Sequence, residues 1–452
     1  MNGVFVKWAA LLLSLSLLIV LHEAGHFIAA KSFKTRVSKF YLFFDFLFPV
    51  SGWLNFSLLK FKRGETEYGI GWFPLGGYVQ IEGMVDEQMD SDKLNAAPEP
   101  WEFRSKPTWQ RLIIMAGGII VNVLLGFFIY MMILWCWGEQ TLPVSSLKDG
   151  ITAGSIAKQI GFQDGDQLLQ LDHHEIEDFS MINKALILHD VHTVQISRAG
   201  REQDIVLPAD IKSRLIKSKG RNFIGPRIPA ITGSITPGSP AALAGLQSGD
   251  QVLAANGQPV TYYHLMQDYL ETQKNKDVQL EVKRNGENKK LLLHIPADNI
   301  TGIQAARLED VLVYNVHNYT LPQAISNGFR KGVTTISDYL LQLKILFSGQ
   351  VNLSESLGGF GSFAGLFPSQ WDWKSFWHIT AFLSFVLAIM NLLPVPGLDG
   401  GHIVFVLYEM FSGRKPAIKV MEYAQMAGMI ILFSLMLYSN GLDIWRALKS
   451  AL

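Results

Sequence analysis

The chain holds a single cysteine in 452 residues, Cys136, and it falls inside an apolar stretch. An internal disulfide is thereby excluded, and the lone thiol reports neither a redox compartment nor a thiolate metal site. An excess of charge of either sign is also lacking, since 39 Lys and Arg balance 39 Asp and Glu. No bulk field argues for an acidic partner, and nucleic acid is not expected among the partners. Charge is scarce altogether, at 17% of residues against 49% hydrophobic, which is apolar for a soluble protein.

What the sequence does have is long apolar runs. A helix needs about 20 largely apolar residues to cross the hydrocarbon core of a membrane. Four segments approach this, at residues 8–30, 112–137, 376–393 and, marginally, 423–438. The third ends at Pro394 and Pro396, which remove N–H donors and stop a helix. Lys31, Lys34, Arg36 and Lys39 follow the first span, while Arg104, Lys106 and Arg111 precede the second. The positive-inside rule therefore places the 31–107 loop in the cytoplasm and both termini and the central region outside it. Arg414, Lys415 and Lys419 agree, whereas Arg446 and Lys449 mildly disagree. A competing reading takes residues 1–30 as a cleaved leader, with Lys7 and the apolar run as its n- and h-regions.

The central region is duplicated. Gly154, Gly161, Gly165 and Asp166 recur as Gly238, Gly245, Gly249 and Asp250, all at an offset of 84 residues. That is the length of a domain, longer than a solenoid repeat. Each copy offers a short helix, a glycine-aspartate turn and alternating strands such as VQLEVKRNG. The copies resemble tandem PDZ domains, which take peptides by strand addition to a sheet edge. Peptide binding, an inert spacer and a size filter all stay open for them. Beyond the second copy, Ile325, Phe329, Val333, Ile336, Leu340, Leu343 and Phe347 recur every three or four residues, predicting an amphipathic helix. It is expected either on the membrane surface or against the second repeat.

One motif violates the apolar pattern. The first span ends in VLHEAGHFIAAK, where His22 and His26 lie four residues apart on one helical face with Glu23 beside them. This is the spacing of a zinc protease, with two neutral imidazoles as ligands and the glutamate as general base on water. Ionisable residues at membrane depth are a functional hypothesis by default. A third ligand is needed, and the helical extension that supplies a histidine fails because Ala29 and Ser32 stand in its place. The stretch NLLPVPGLDGGH after the third span offers Asp399, with His402 as the alternative. Irregular backbone at membrane depth is tolerated where it lines a cavity. Asp399 as a plain turn residue remains the competing reading.

HEAGH, the GGIIVN of span two, the tandem insert and NLLPVPGLDG together resemble the bacterial site-2 proteases of the RseP type, in the same order along essentially the whole chain. The resemblance implies a polytopic α-helical membrane protein of four transmembrane helices, with a cytoplasmic-side re-entrant β-loop and an inserted tandem of PDZ-like α+β domains. The divisions expected are 1–137 for the first two spans and β-loop, 138–228 and 229–315 for the repeats, 316–372 for the amphipathic helix and a glycine-rich loop, and 373–452 for the last two spans. By the same resemblance one Zn²⁺ is held by His22, His26 and Asp399, Glu23 is the catalytic base, and Asn391, Asn122, Gly76 and Gly77 handle substrate. YGIGWFPLGGYVQI, residues 68–81, is similar to the re-entrant loop, with two short strands around a Pro-Leu-Gly-Gly turn. LGGFGSFAG, residues 357–365, is similar to the glycine-rich loop, and the 84–100 insert carries no assignment.

The activity implied is intramembrane cleavage of single-span proteins, an anti-sigma factor or remnant signal peptides, in regulated intramembrane proteolysis at the bacterial inner membrane. Lipid and peptide ligands of the PDZ-like domains are the other expected partners. The alternatives are a membrane-anchored adaptor or chaperone whose protease site has decayed, and a metal transporter, which would need more intramembrane ligands than these spans supply.

Overall fold

The computed structural model describes residues 3–46, 55–74, 76–84, 97–218, 223–349 and 357–451. The chain forms two units, Met1–Gly138 with Asn318–Leu452, and Glu139–His317.

In the first unit, four helices among the described residues are long and apolar enough to cross a membrane. They are α1 (Gly3–Ser32), α2 (Thr108–Trp137), α5 (Trp373–Leu392) and α7 (Ile418–Ala451), with α3 (Leu321–Phe347), α4 (Phe360–Ala364) and α6 (Asp399–Ser412) as shorter or amphipathic companions. The fourth span, marginal by composition, belongs to a helix of 34 residues, long enough at about 1.5 Å per residue to pass the hydrocarbon core with length to spare. Helices α1 and α2 cross at Gly25 and Gly117, where a Cβ on either residue would overlap the carbonyl of the other. Such close approach is how helices gain van der Waals contact in lipid, where apolar burial alone does not drive them together. Hydrogen bonds between spans add about 0.6 kcal/mol each. Thr380 Oγ1 of α5 donates to Ser14 Oγ of α1 at 2.9 Å, and Ser384 Oγ donates to the Asn122 carbonyl of α2 at 2.7 Å.

Between α1 and α2 lies a four-stranded sheet of β1 (Val37–Leu42), β2 (Ser57–Arg63), β3 (Thr66–Gly71) and β4 (Tyr78–Ile81), in the order β2-β3-β1-β4. The two strands expected around the Pro-Leu-Gly-Gly turn are β3 and β4, and they do not pair with each other. β1 lies between them, parallel to β3 and antiparallel to β4. The reason is topological, since β2 and β3 form an antiparallel hairpin that returns the chain in the direction of β1. β2 and β4 are left as the edges, and β2 exposes Leu58, Leu59 and Phe61.

The amphipathic helix α3 begins with a capping box, in which Thr320 and Gln323 satisfy each other's backbone N–H groups. It also makes a contact that neither expectation named. Gly328 and Gly332, one turn apart, lie against Met131 and Phe127 of α2, and Phe329 stacks on Phe127 with ring centroids 4.7 Å apart. The small-residue pair lets α3 press onto a span, a contact that the exposed apolar stripe of the helix does not announce.

The second unit contains two copies of one topology. The sheet order Arg201–Val206, Thr193–Arg198, Gln167–Leu171, His174–Glu175 is repeated by Glu287–Ile295, Lys276–Arg284, Gln251–Ala255, Gln258–Pro259. Each copy has its own apolar core. The repeated aspartates are the centres of identical clasps. Arg198 donates twice to Asp166 at 2.7 Å, and Arg284 donates twice to Asp250 at 2.6 Å. In each case the arginine also reaches the carbonyl of the repeated glycine, Gly161 or Gly245, at 2.7 Å.

Candidate metal centre and active site

The motif on α1 places its histidines as the helical spacing requires. His22 and His26 are both buried, and their Nε2 atoms lie 3.2 Å apart. α5 stops at Leu392, the proline-interrupted loop turns back, and α6 starts at Asp399 with its carboxylate aimed at the same point. Asp399 Oδ2 lies 3.1 Å from His22 Nε2 and 3.3 Å from His26 Nε2. Gly400 and Gly401 permit this fold-back, because a Cβ at either position would strike the backbone of residues 392–396.

Three donor atoms that share a tetrahedral zinc, with bonds of about 2.0–2.2 Å, are about 3.3–3.6 Å from one another. The observed triangle matches this within a few tenths of an ångström. Oδ2 of Asp399 is shielded from solvent and, among the described residues, has no polar partner besides the two imidazoles, as befits an atom that faces a cation. His26 Nδ1 lies 2.8 Å from the Ile114 carbonyl, which only accepts, so Nδ1 carries the proton and Nε2 offers its lone pair to the centre. The residues fit the metal. Among the described residues, His22, His26 and Asp399 form the one cluster of this kind.

His402, the alternative third ligand, lies on the wall of the adjoining cavity but outside the triangle. That cavity, about 380 Å³, is lined by Glu23, Asn391, Tyr78 and Val79 among others. Asn391 Nδ2 stands 3.4 Å from His22 Nε2. Gly77 brings β4 against α1, since a Cβ there would meet Ile19 and the Tyr41 carbonyl and lie 3.4 Å from Glu23. Gly76 likewise abuts the Phe44 ring. Both glycines therefore serve close backbone approach and set an edge strand beside the centre. Asn122 stands apart from the other residues expected to handle substrate. It is fully buried behind His22 and does not line the cavity.

Several contacts here escaped sequence reasoning. Gly118 leaves room for the imidazoles, as a Cβ would fall on His22 and His26. Ile114, Gly118 and Asn122 form an i, i+4, i+8 stripe on α2, which was the available signal. Gln425 of α7 accepts from Gly397 N at 3.2 Å and so holds the loop before Asp399. The glycine-rich segment contributes Phe360 to the cavity wall and is held by α7, where Asp443 accepts from Gly359 N and Ser362 N at 3.0 and 2.8 Å. No local pattern marks Gln425 or Asp443.

Two imidazoles and two carboxylates around a cavity, set among helices built to cross a membrane, define a membrane-embedded metalloprotease. The profile of peptidase family M50 matches residues 10–435. The chain belongs to peptidase family M50 and is a zinc metalloprotease. It is 28% identical over 459 residues to the regulator of sigma-E protease RseP of Salmonella typhimurium, covering 96% of this chain and 98% of that one. It is 28% identical over 454 residues to RseP of Escherichia coli, covering 95% and 96%. The regulator of sigma E protease of Haemophilus influenzae is 26% identical over 465 residues, covering 96% and 98%. The reading as an adaptor with a decayed site is not favoured, since His22, Glu23, His26 and Asp399 are all intact in a peptidase family member.

Proposed function

We propose that His22, His26 and Asp399 hold one zinc ion and that Glu23 is the general base and acid of an intramembrane endopeptidase. The observation that carries this is the triangle of donor atoms at 3.1, 3.2 and 3.3 Å beside a cavity that Glu23 also lines. Zinc, when bound, polarises a peptide carbonyl and makes water acidic enough to attack near neutral pH. Glu23 takes the proton of that water and returns it to the departing amine. Asn391, beside His22, donates to the carbonyl oxygen as charge develops on it.

A transmembrane helix hides its carbonyls in its own hydrogen bonds, so the substrate must be drawn out locally. β4 offers the means, since it is the last strand of its sheet among the described residues and lines the cavity, where a substrate segment can be added as a strand. The apolar side chains exposed on β2 favour a sheet that dips into the membrane as a re-entrant loop. The substrates are single-span membrane proteins, an anti-sigma factor or leftover signal peptides, and the relatives' name, regulator of sigma-E protease, is in keeping with a substrate tied to a sigma factor. The enzyme resides in the bacterial cytoplasmic membrane, with the HEAGH end of α1 toward the cytoplasm and Glu139–His317 outside. The two copies of that unit act as PDZ-like modules that receive extended peptide or filter partners by size. A cavity of about 520 Å³ between the helix Tyr263–Glu271 and residues 299–304 of the second copy supports a peptide groove.

The test is a tagged single-span reporter with its amino terminus in the cytoplasm, co-expressed with the wild type or with Glu23→Gln. The glutamine keeps the shape but cannot move a proton, so cleavage is expected to fall by at least about 100-fold. Equal cleavage by the two proteins sinks the reading.

A further inference from the structure

Zinc binds an imidazole through a bare nitrogen, so whatever meets the other ring nitrogen decides whether a histidine is ready for metal. For His26 that partner is the Ile114 carbonyl at 2.8 Å. For His22 it is Asn122, whose Nδ2 stands 3.1 Å from His22 Nδ1. Asn122 has no exposed surface, its backbone carbonyl is tied to Ser384 Oγ at 2.7 Å, and its Oδ1 is buried without a hydrogen bond.

In this orientation the amide donates to Nδ1, which puts the ring proton on Nε2, where it points at Asp399 Oδ2, 3.1 Å away. For Nε2 to bind zinc the proton must sit on Nδ1, and a buried N–H needs an acceptor. Half a turn about the terminal torsion of Asn122 exchanges Oδ1 with Nδ2 and supplies one. The exchange gives up no other hydrogen bond, because Oδ1 makes none now. We infer that Asn122 is a positioning residue that accepts the Nδ1 proton of His22 in the zinc-loaded enzyme and so fixes the tautomer and ring plane of that ligand. This gives a physical reason for the polar member of the Ile114, Gly118, Asn122 stripe. Its neighbours provide the acceptor for His26 and the space for both rings.

The inference rests on His22 being a zinc ligand, and the experiment separates the two. Zinc affinity of the full-length protein in detergent is measured by competition with a chelator, for the wild type, Asn122→Leu and Asn122→Asp. Leucine fills the volume without an acceptor, and aspartate keeps an acceptor in the same place. Affinity is expected to drop about 10–100-fold in Asn122→Leu and to stay within a few-fold of wild type in Asn122→Asp. Wild-type affinity in Asn122→Leu, or equal loss in both variants, overturns the inference while leaving the zinc site intact. Should Asn122→Leu fail to fold, Asn122→Ala, which also lacks an acceptor, takes its place with the same outcomes. A wild type that binds no zinc overturns the site and this role together.

Discussion

At the scale of single residues, the chemistry depends on which oxygen or nitrogen completes the pair of histidines. Asp399 reaches both, while His402 borders the cavity and a second, neighbouring one that Arg111 and Glu409 also line. Asp399→Asn replaces an anionic donor with a weak neutral one and is expected to lower zinc affinity by more than about 100-fold, beyond the loss of an outer partner. His402→Ala enlarges the cavity but removes no donor from the triangle, so its zinc content should match the wild type. Metal analysis of the two purified variants checks this, and metal loss confined to the His402 variant would reverse the assignment. HEAGH was legible because i, i+4 spacing on a helix is local information. Asp399 was legible only as one of two choices, because the turn that aims its carboxylate depends on Gly400 and Gly401 lying under the backbone of residues 392–396. Asn122 was visible as a polar residue in a span, and its direction was not, since a helix of unknown neighbours has no labelled faces.

Elements bring their own constraints. The α1–α2 crossing is set by glycines whose only sequence signature is smallness, and the seat of α3 by another such pair, Gly328 and Gly332. The sheet was half legible. Residues 68–81 read as two short strands around a turn, but the intervening place of β1 is a matter of pairing across about thirty residues, which alternation along one strand does not encode. The repeats were more legible because duplication shows which residues the fold reuses, and the Asp250–Arg284 clasp explains the repeated aspartate. Burial pushes the Asp250 carboxyl up, but the two bonds from Arg284 and the Gln247 N–H outweigh it and hold the group below the usual carboxylate range. A depressed carboxyl stabilises the fold above its ordinary pKa of about 4, and that stabilisation fades as pH falls through the folded value. Arg284→Met leaves the buried charge alone and should cost about 3 kcal/mol at pH 7. Hydrogen exchange in the strand Lys276–Arg284 of the full-length protein would then be faster by about a hundredfold than in the wild type, a gap that narrows below about pH 4. A gap that persists unchanged in acid would detach the clasp from the charge of Asp250.

For the molecule as a whole, the question is which side of the membrane each part occupies, and the first unit makes the answer internally consistent. His22, His26, Ile114, Asn122, Asn391 and Asp399 meet at one end of the spans, whereas Ser14 and Thr380 meet farther along α1. The site therefore sits at the end where the 31–107 loop and the α6–α7 turn emerge, both rich in Lys and Arg, and the positive-inside rule predicts that this end faces the cytoplasm. Glu139–His317 follows the opposite end of α2 in the chain, and in the proposed orientation it is expected outside the cytoplasm. The scarcity of cysteine makes the test clean, because replacing Cys136 with serine gives a background without thiols. In that background Asn288→Cys, exposed on the second repeat, should react with a membrane-impermeant maleimide in intact spheroplasts. Arg414→Cys, exposed between α6 and α7, should react only after the membrane is opened. The reverse pattern would invert the whole protein and would place the catalytic end outside, where release of a fragment to the cytoplasm is impossible. Labelling at both positions in intact cells would break the four-span topology itself.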